Sequence, residues 1–380
     1  MAAEPTSRTI RIGLIGATPG RGWAGMAHVP AIHATPGLTL QGVATRSAHT
    51  ARAAAEAFGA PLWFDDAHAM IAHDSIDAIV VAVKAPDHFA FVKQALLAGK
   101  PVYCEMPFGH TLAEARELEA LAAARRVPTA VGLQGRFSPW LRQIRDIVSA
   151  GRLGRVLSTS MIAWDELSLG TIDQGNAYLL DVANGANPLT IHSAHYVDAL
   201  CFALGELETV SAVTAISRPN IIVRQTGETV VSTSPDQIAV CGLLTGGAVA
   251  SFQMRAGSGA PSFQWEIQGE DAVLRVTSTG YLMWRPLKLD LWGAGSGQWE
   301  ALPSPKQDDD AQEIEGPARF VALAYAAFVS DILTGTTRSV SFTSALRRRE
   351  TMEAIRASAH DGRATSPAGE TTPDDESARS

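Results

Sequence analysis

Long hydrophobic runs, paired cysteines and an excess of positive charge are all missing from this sequence. Its strongest apolar run, residues 79–83, has the length of a strand. A membrane span needs roughly 18 residues, so none is expected. Only three cysteines occur, Cys104, Cys201 and Cys241, with no C-x-x-C and no histidine at metal spacing. An odd, scattered set cannot all pair, which excludes a disulfide scaffold or zinc module and predicts reduced thiols in a cytoplasmic protein, with no metal. Lysine and arginine total 31 against 39 acidic residues, a net charge of −8. That balance excludes the basic face of a nucleic-acid binder or of a protein held on an anionic membrane. Residues 1–8 are polar and lack the profile of a signal peptide, so they are expected to be a flexible N-terminus.

What is present is a globular composition. Of the 380 residues, 46% are apolar and 18% charged. At about 100–200 residues per domain the length predicts two or three domains. Through residue 136, short apolar runs alternate with helical patterns, the mark of a parallel sheet with crossover helices. Strands are expected at 10–15, 38–45, 76–83, 101–104 and 129–133. Helices are expected at 50–58, with Ser47 as N-cap and Gly59 as stop, and at 87–98 and 112–125. The expected first domain, 9–136, is a doubly wound dinucleotide-binding (Rossmann) fold. From 137 to 360 the texture becomes β-rich, with strands at 156–163, 209–217, 237–244, 248–255, 262–269 and 273–278. Consecutive strands without intervening helices predict an open antiparallel sheet. Helices at 187–204, 316–333 and 344–359 complete an α+β second domain, the last expected to pack back on the first. The Ser/Thr/Pro/Asp-rich tail, 361–380, is expected to be disordered.

The first strand runs into Gly16-Ala17-Thr18-Pro19-Gly20-Arg21-Gly22-Trp23-Ala24. Glycines there let backbone amides approach a pyrophosphate at a helix N-terminus, although the strict G-x-G-x-x-G spacing is stretched. At the end of the second strand stands Thr45-Arg46-Ser47, where an acid would favour NAD. Arg46 and Ser47 suit a 2′-phosphate, which favours NADP over NAD; the alternative is a solvated arginine beside a helix cap.

Three further segments carry a resemblance. Val83-Lys84-Ala85-Pro86-Asp87-His88 ends the third strand, Ala98-Gly99-Lys100-Pro101-Val102-Tyr103-Cys104-Glu105-Met106-Pro107 follows, and His195-Tyr196-Val197-Asp198 lies further on. Together they resemble the Gfo/Idh/MocA (glucose–fructose oxidoreductase / inositol dehydrogenase) family over residues 10–358. Gly22-Trp23-Ala24, His28-Val29-Pro30-Ala31-Ile32 and Val131-Gly132-Leu133-Gln134-Gly135-Arg136 look like the branch that holds the fungal galactose-regulon repressor and its bacterial oxidoreductase-like relatives. The resemblance implies a Rossmann domain, an NAD(P) cofactor held by these segments, and a second-domain sheet through which a homodimer or homotetramer forms. At the carboxyl edge of the sheet Glu105 is a candidate to touch the nicotinamide ribose, the alternative being a strand-end ion pair, and the branch resemblance favours Trp23 lying on or over the ring rather than merely packing.

The family's catalytic lysine is replaced by Met106, and Ile191 stands four residues before His195 where the family has an aspartate. A thioether neither donates a hydrogen bond nor takes a proton at neutral pH. His195 remains, with His192 and Asp198 three residues to either side on one helical face. Histidine titrates near neutrality, which suits an acid/base, and Asp198 is placed to orient it. Lys84 is a candidate for the missing charge, and Tyr178, Asp181, Trp164 and Asp165 for the rim of a substrate site. Two functions follow. One is an oxidoreductase moving hydride between nicotinamide and a small sugar, polyol, carbonyl or hydroxy compound. The other is a catalytically silent dinucleotide-binding regulator or sensor. Lyases and hydrolases that retain the cofactor stay open.

Overall fold

A computed structural model describes residues 8–20, 22–165, 170–256, 262–282, 285–293, 295–306 and 314–367. Residues 1–7 of the expected flexible start, Arg21 and most of the expected tail lie outside them, and of Asp165 only the backbone is described. The chain forms two compact units, Met1–Ser138 with Lys306–Leu346, and Pro139–Pro305 with Arg347–Ser380. The second region expected at 137–360 is thus interrupted by a segment belonging to the first unit.

In the first unit a six-stranded parallel sheet has the order β3-β2-β1-β4-β5-β6. Its strands are β1 (Ile10–Ile15), β2 (Leu38–Ala44), β3 (Leu62–Phe64), β4 (Ala78–Val81), β5 (Val102–Cys104) and β6 (Thr129–Val131). The helices are α1 (Val29–Ala34), α2 (Ala48–Phe58), α3 (Ala67–Ala72), α4 (His88–Leu97) and α5 (Leu112–Arg125). Strands β1, β4, β5 and β6 are almost wholly buried, as strands covered on both faces must be. The strand order reverses between β1 and β4, which opens a crevice at their carboxyl ends. Local chemistry sets the helix ends. Ser47 Oγ accepts from Thr50 N at 3.3 Å, and Gly59 closes α2 at φ 70°. Thr111 and Glu114 form a reciprocal capping box on α5.

The second unit holds α6 (Pro139–Ser149), α7 (Ala194–Leu204) and an eight-stranded sheet, with a smaller three-stranded sheet beside it. The strands in chain order are β7 (Val156–Asp165), β8 (Thr171–Ile172), β9 (Leu207–Ala215), β10 (Asn220–Val223), β11 (Thr229–Val231), β12 (Gln237–Leu244), β13 (Val249–Ala256), β14 (Phe263–Gly269), β15 (Ala272–Ser278), β16 (Lys288–Gly293) and β17 (Trp299–Ala301). The large sheet runs β17-β16-β15-β14-β7-β13-β12-β9. It is antiparallel as expected at every pair but one: β7 pairs parallel with β13 and antiparallel with β14. The chain leaves β7 for a long excursion through β8 and α7 before β13 forms, so no hairpin dictates their mutual direction. One face is core, with Trp265 fully buried and its Nε1 donating to Thr159 Oγ1 at 2.8 Å. On the other face Ser211, Cys241, Ser251 and Ser160 stand in one cross-strand row, flanked by exposed Val213, Leu243 and Val249.

Two helices close the chain, α8 (Pro317–Thr334) in the first unit and α9 (Phe342–Asp361). By length and composition α8 is apolar enough to cross a membrane. This departs from the expectation that nothing here reaches that length, because alanines link its larger apolar residues. It places Phe320, Val321, Tyr325 and Phe328 in the buried core, as core helices meeting the same criterion do. The tail is ordered further than expected: Thr365 N and O bond Val210 O and N at 2.9 and 2.8 Å, so residues 361–367 extend the second unit.

Candidate functional site

Each unit carries its own set of candidate residues. At the carboxyl end of β1 the chain turns at Gly16, φ 99°, where a Cβ would meet Ala82 O at 2.6 Å. Only glycine fits. Gly20 and Gly22 follow at φ 72° and 79°, and nothing lies within 4 Å of where their side chains would stand. A π-helical turn, Ala24–His28, then begins, with Trp23 half-buried at its start. A tight turn with open space above its glycines, leading into helix, is a cradle that fits a dinucleotide pyrophosphate.

At the end of β2, Thr45 Oγ1 lies 2.6 Å from Thr50 Oγ1 and Ser47 Oγ 2.9 Å from it. Ser47 is thereby engaged as the cap of α2, while Arg46 is exposed with no ion pair among the described residues. After β4, Lys84 and Pro86 are exposed, and Val83 O lies 3.0 Å from His88 Nε2. His88 Nδ1 lies 2.7 Å from Pro107 O, and the ring is buried. His88, expected at the cofactor, therefore ties the turn after β4 to the turn after β5. Burial pushes its pKa down, against the pull of the two carbonyls, Glu105 and Asp87.

Behind the same edge lies a cluster the sequence did not reveal. Glu105 follows β5, and its N donates to Val81 O at 3.1 Å. Its carboxylate lies over Gly132, where a Cβ would come within 2.5 Å of Oε1. His28 is fully enclosed; its Nε2 stands 3.0 Å from Glu105 Oε1, and its Nδ1 2.5 Å from the Tyr325 hydroxyl of α8. The Nε2–Oε1 pair is close but lacks hydrogen-bond alignment. Tyr103 and Tyr325 pack on the imidazole at centroid distances of 5.7 and 5.8 Å. Burial, then the Glu105 charge, raise the pKa of both tyrosines well above the ordinary phenol range. Met106 beside Glu105 is buried, and its peptide to Pro107 is cis.

In the second unit the expected helix 187–204 begins differently. Asn187 Oδ1 accepts from Leu189 N and Thr190 N at 3.0 and 3.2 Å. A π-helical turn, Leu189–Ser193, then precedes α7. His192 and His195 both face Tyr281, at centroid distances of 5.8 and 6.5 Å, and His195 is buried. Asp198, expected to orient that ring, has a partner the sequence did not show: Arg348 Nε of α9 lies 3.3 Å from its Oδ1. Arg348 also bonds Glu206 at 3.0 Å and Cys201 Sγ at 3.0 Å. Burial pushes the Cys201 thiol up to about 12 despite that guanidinium. Tyr178 is half-buried, and burial raises its pKa; Asp181 is exposed, its Oδ1 accepting from Ala183 N at 3.0 Å. Trp164 is half-buried. No group of side chains among the described residues could hold a metal.

A dinucleotide cradle at the carboxyl edge of one unit and a histidine pair in the other, His195 buried and His192 half-buried, define the class, a nucleotide-binding α/β protein with a separate α+β unit. Residues 10–133 match the oxidoreductase family with an NAD-binding Rossmann fold, and residues 139–278 match the Gal80p C-terminal domain. By these two matches the chain joins an NAD-binding domain of the Gfo/Idh/MocA type to a domain like the C-terminal domain of Gal80p. Dehydrogenase aclE of Aspergillus oryzae is 29% identical over 95% of this chain and 99% of its own length. The galactose/lactose metabolism regulatory protein GAL80 of Kluyveromyces lactis is 26% identical over 66% of this chain and 58% of its own. Levoglucosan dehydrogenase, solved with NADH and L-sorbose, superposes with a TM-score of 0.84 at 19% identity, over 96% of this chain and all of that one.

Proposed function

We propose that this protein is an NAD(P)-dependent oxidoreductase acting on a small sugar, polyol, carbonyl or hydroxy compound, with His195 as its acid/base. The observation that carries the reading is His195 itself, buried beside Tyr281 at the start of α7. The dehydrogenase relative that spans almost the whole chain supports it. When bound, the dinucleotide supplies or accepts the hydride at its nicotinamide. Its pyrophosphate is held at Gly16, Thr18, Gly22, Trp23 and Ala24. Thr45, Arg46 and Ser47 meet the adenosine ribose, and exposed Arg46 favours NADP. Val83, Lys84, Pro86, Glu105 and Met106 line the nicotinamide side. His195 takes the hydroxyl proton during oxidation and returns it during reduction, with Tyr178 and Lys84 as the further polar candidates. Met106 is neutral and takes no part in the proton transfer.

His195→Ala is expected to lower kcat by about 10²–10⁴, the contribution of a positioned acid/base, with cofactor affinity nearly unchanged. Steady-state and single-turnover reduction of bound cofactor, over a panel of polyols and hydroxy compounds, checks it. A variant within about threefold of wild type, far below that range, would place the proton elsewhere.

A second reading is favoured by Met106 together with the Gal80p-like domain. It is a dinucleotide-binding regulator without turnover, acting through a protein partner. Bound cofactor that no member of the panel reduces would select it. We also propose a cytoplasmic homodimer or homotetramer joined through the exposed face of the eight-stranded sheet.

A further inference from the structure

The cluster behind the first unit's carboxyl edge is not accounted for by packing or by the proton transfer assigned to His195. Its three polar members come from separate elements: His28 from the π-helical turn, Glu105 from the end of β5 and Tyr325 from α8. His28 and Tyr325 are fully buried, and only the Glu105 side chain, 14% exposed, reaches the surface of the unit. The array has one open end, and that end is a carboxylate on the edge where doubly wound sheets bind their ligands. It also connects to the glycine turn, since His28 is the last residue of the π-helical turn Ala24–His28 that follows it.

We propose that the Glu105–His28–Tyr325 array sets the preference of the dinucleotide site for oxidised over reduced nicotinamide and couples that preference to the uptake of one proton. The inference rests on the dinucleotide reading above. Oxidised nicotinamide carries one positive charge on its ring, and the reduced ring carries none. A carboxylate at the edge therefore attracts the oxidised form selectively, the more so because aromatic rings and backbone shield its rear from water. A proton added to the Glu105–His28 pair lowers its negative charge and weakens that attraction. By linkage, replacing oxidised with reduced cofactor raises the proton affinity of the array. Tyr325 holds the other imidazole nitrogen and so fixes where the proton resides. The titratable groups packed about the carboxylate are His28 of the turn, Tyr103 and Cys104 of β5, His88 of α4 and Tyr325 of α8. Burial keeps both tyrosines and the Cys104 thiol protonated and lowers the pKa of His88, which leaves the exchanged proton to the Glu105–His28 pair, whose atoms stand 3.0 Å apart.

The test measures dissociation constants of the oxidised and reduced dinucleotides by calorimetry and by cofactor fluorescence, from mildly acidic to mildly basic pH, with no substrate present. In the wild-type chain the preference for the oxidised form is expected to decline as pH falls. Glu105→Gln is expected to weaken the oxidised form roughly tenfold, the scale of one partly shielded charge pair, to leave the reduced form unchanged, and to abolish the pH dependence. Tyr325→Phe, which removes only the hydroxyl facing His28, is expected to keep the preference and move the pH at which it declines. It carries the test alone if the first variant does not fold. Equal changes in both forms, or an unaltered pH profile in the variant that folds, would overturn the inference. A wild-type chain that binds neither dinucleotide would overturn the functional reading as well, whereas binding without this selectivity overturns the inference alone.

Discussion

Arg348 shows how much a single buried charge can organise. It lies in the run Arg347-Arg348-Arg349 of α9. In the structure its side chain is fully buried among Asp198, Glu206, Cys201 and Thr351. Asp198 is only 3% exposed, so removing the arginine takes a guanidinium away from a buried carboxylate. Arg348→Leu is expected to cost about 3–5 kcal/mol, the penalty for breaking a buried pair from one side. Adding Asp198→Asn should recover part of that loss. Urea unfolding checks both, and a loss well under 1 kcal/mol, a small fraction of that penalty, would mean that Asp198 is held by other groups. His195 lies one turn from Asp198 on the same helix, so the double variant also separates the stability of α7 from its chemistry. Neither Arg348 nor the His28 cluster was legible in the sequence. Their partners lie 150 and 297 residues away, and no local spacing encodes such a meeting.

Elements were legible where short-range chemistry decides them. The cap at Ser47, the stop at Gly59, the limits of α5 and those of β12 are all local effects of side-chain oxygens, glycine and alternation. Strand β3 and helix α3 were missed because three and six residues are too few for a periodicity to emerge. The parallel placement of β7 was missed because strand direction inside a sheet depends on where a distant segment returns. The tie between β1 and β4 yields a pH prediction. Arg11 donates through Nε and Nη2 to Asp77 at 2.9 Å each, which holds the Asp77 carboxyl below its ordinary range. A lowered carboxylate stabilises the fold fully above its unfolded-state pKa, and that contribution is lost as pH falls through the lowered value. Asp77→Asn is therefore expected to reduce stability at neutral pH and to flatten its decline in acid, read by thermal unfolding across an acid pH series. A decline as steep as in the wild type would assign the acid sensitivity to other carboxylates.

Across the whole molecule, the proposed association gives the exposed sheet face a concrete readout. Cys241 is the one exposed cysteine of the three and stands in the row of serines on that face. If a second copy covers the face, Cys241 should react with thiol reagents slowly at micromolar protein and faster on dilution. Cys104 and Cys201, both buried, should stay unreactive until unfolding. Light scattering on the same samples gives the mass, and a dilution-independent rate with a monomer mass would count against the association.

The interrupted first unit bears on how the protein is made. Its sheet is complete once β6 has emerged at Val131, yet the phenol that holds His28 arrives only with Tyr325. At ribosomal speeds of about 5–20 residues per second, that interval lasts roughly 10–40 s. Throughout it the imidazole of His28 and the apolar surface meant for α8 stand uncovered on a nascent chain. Those seconds of synthesis are the period in which this protein is most open to capture by a chaperone or by another nascent copy of itself.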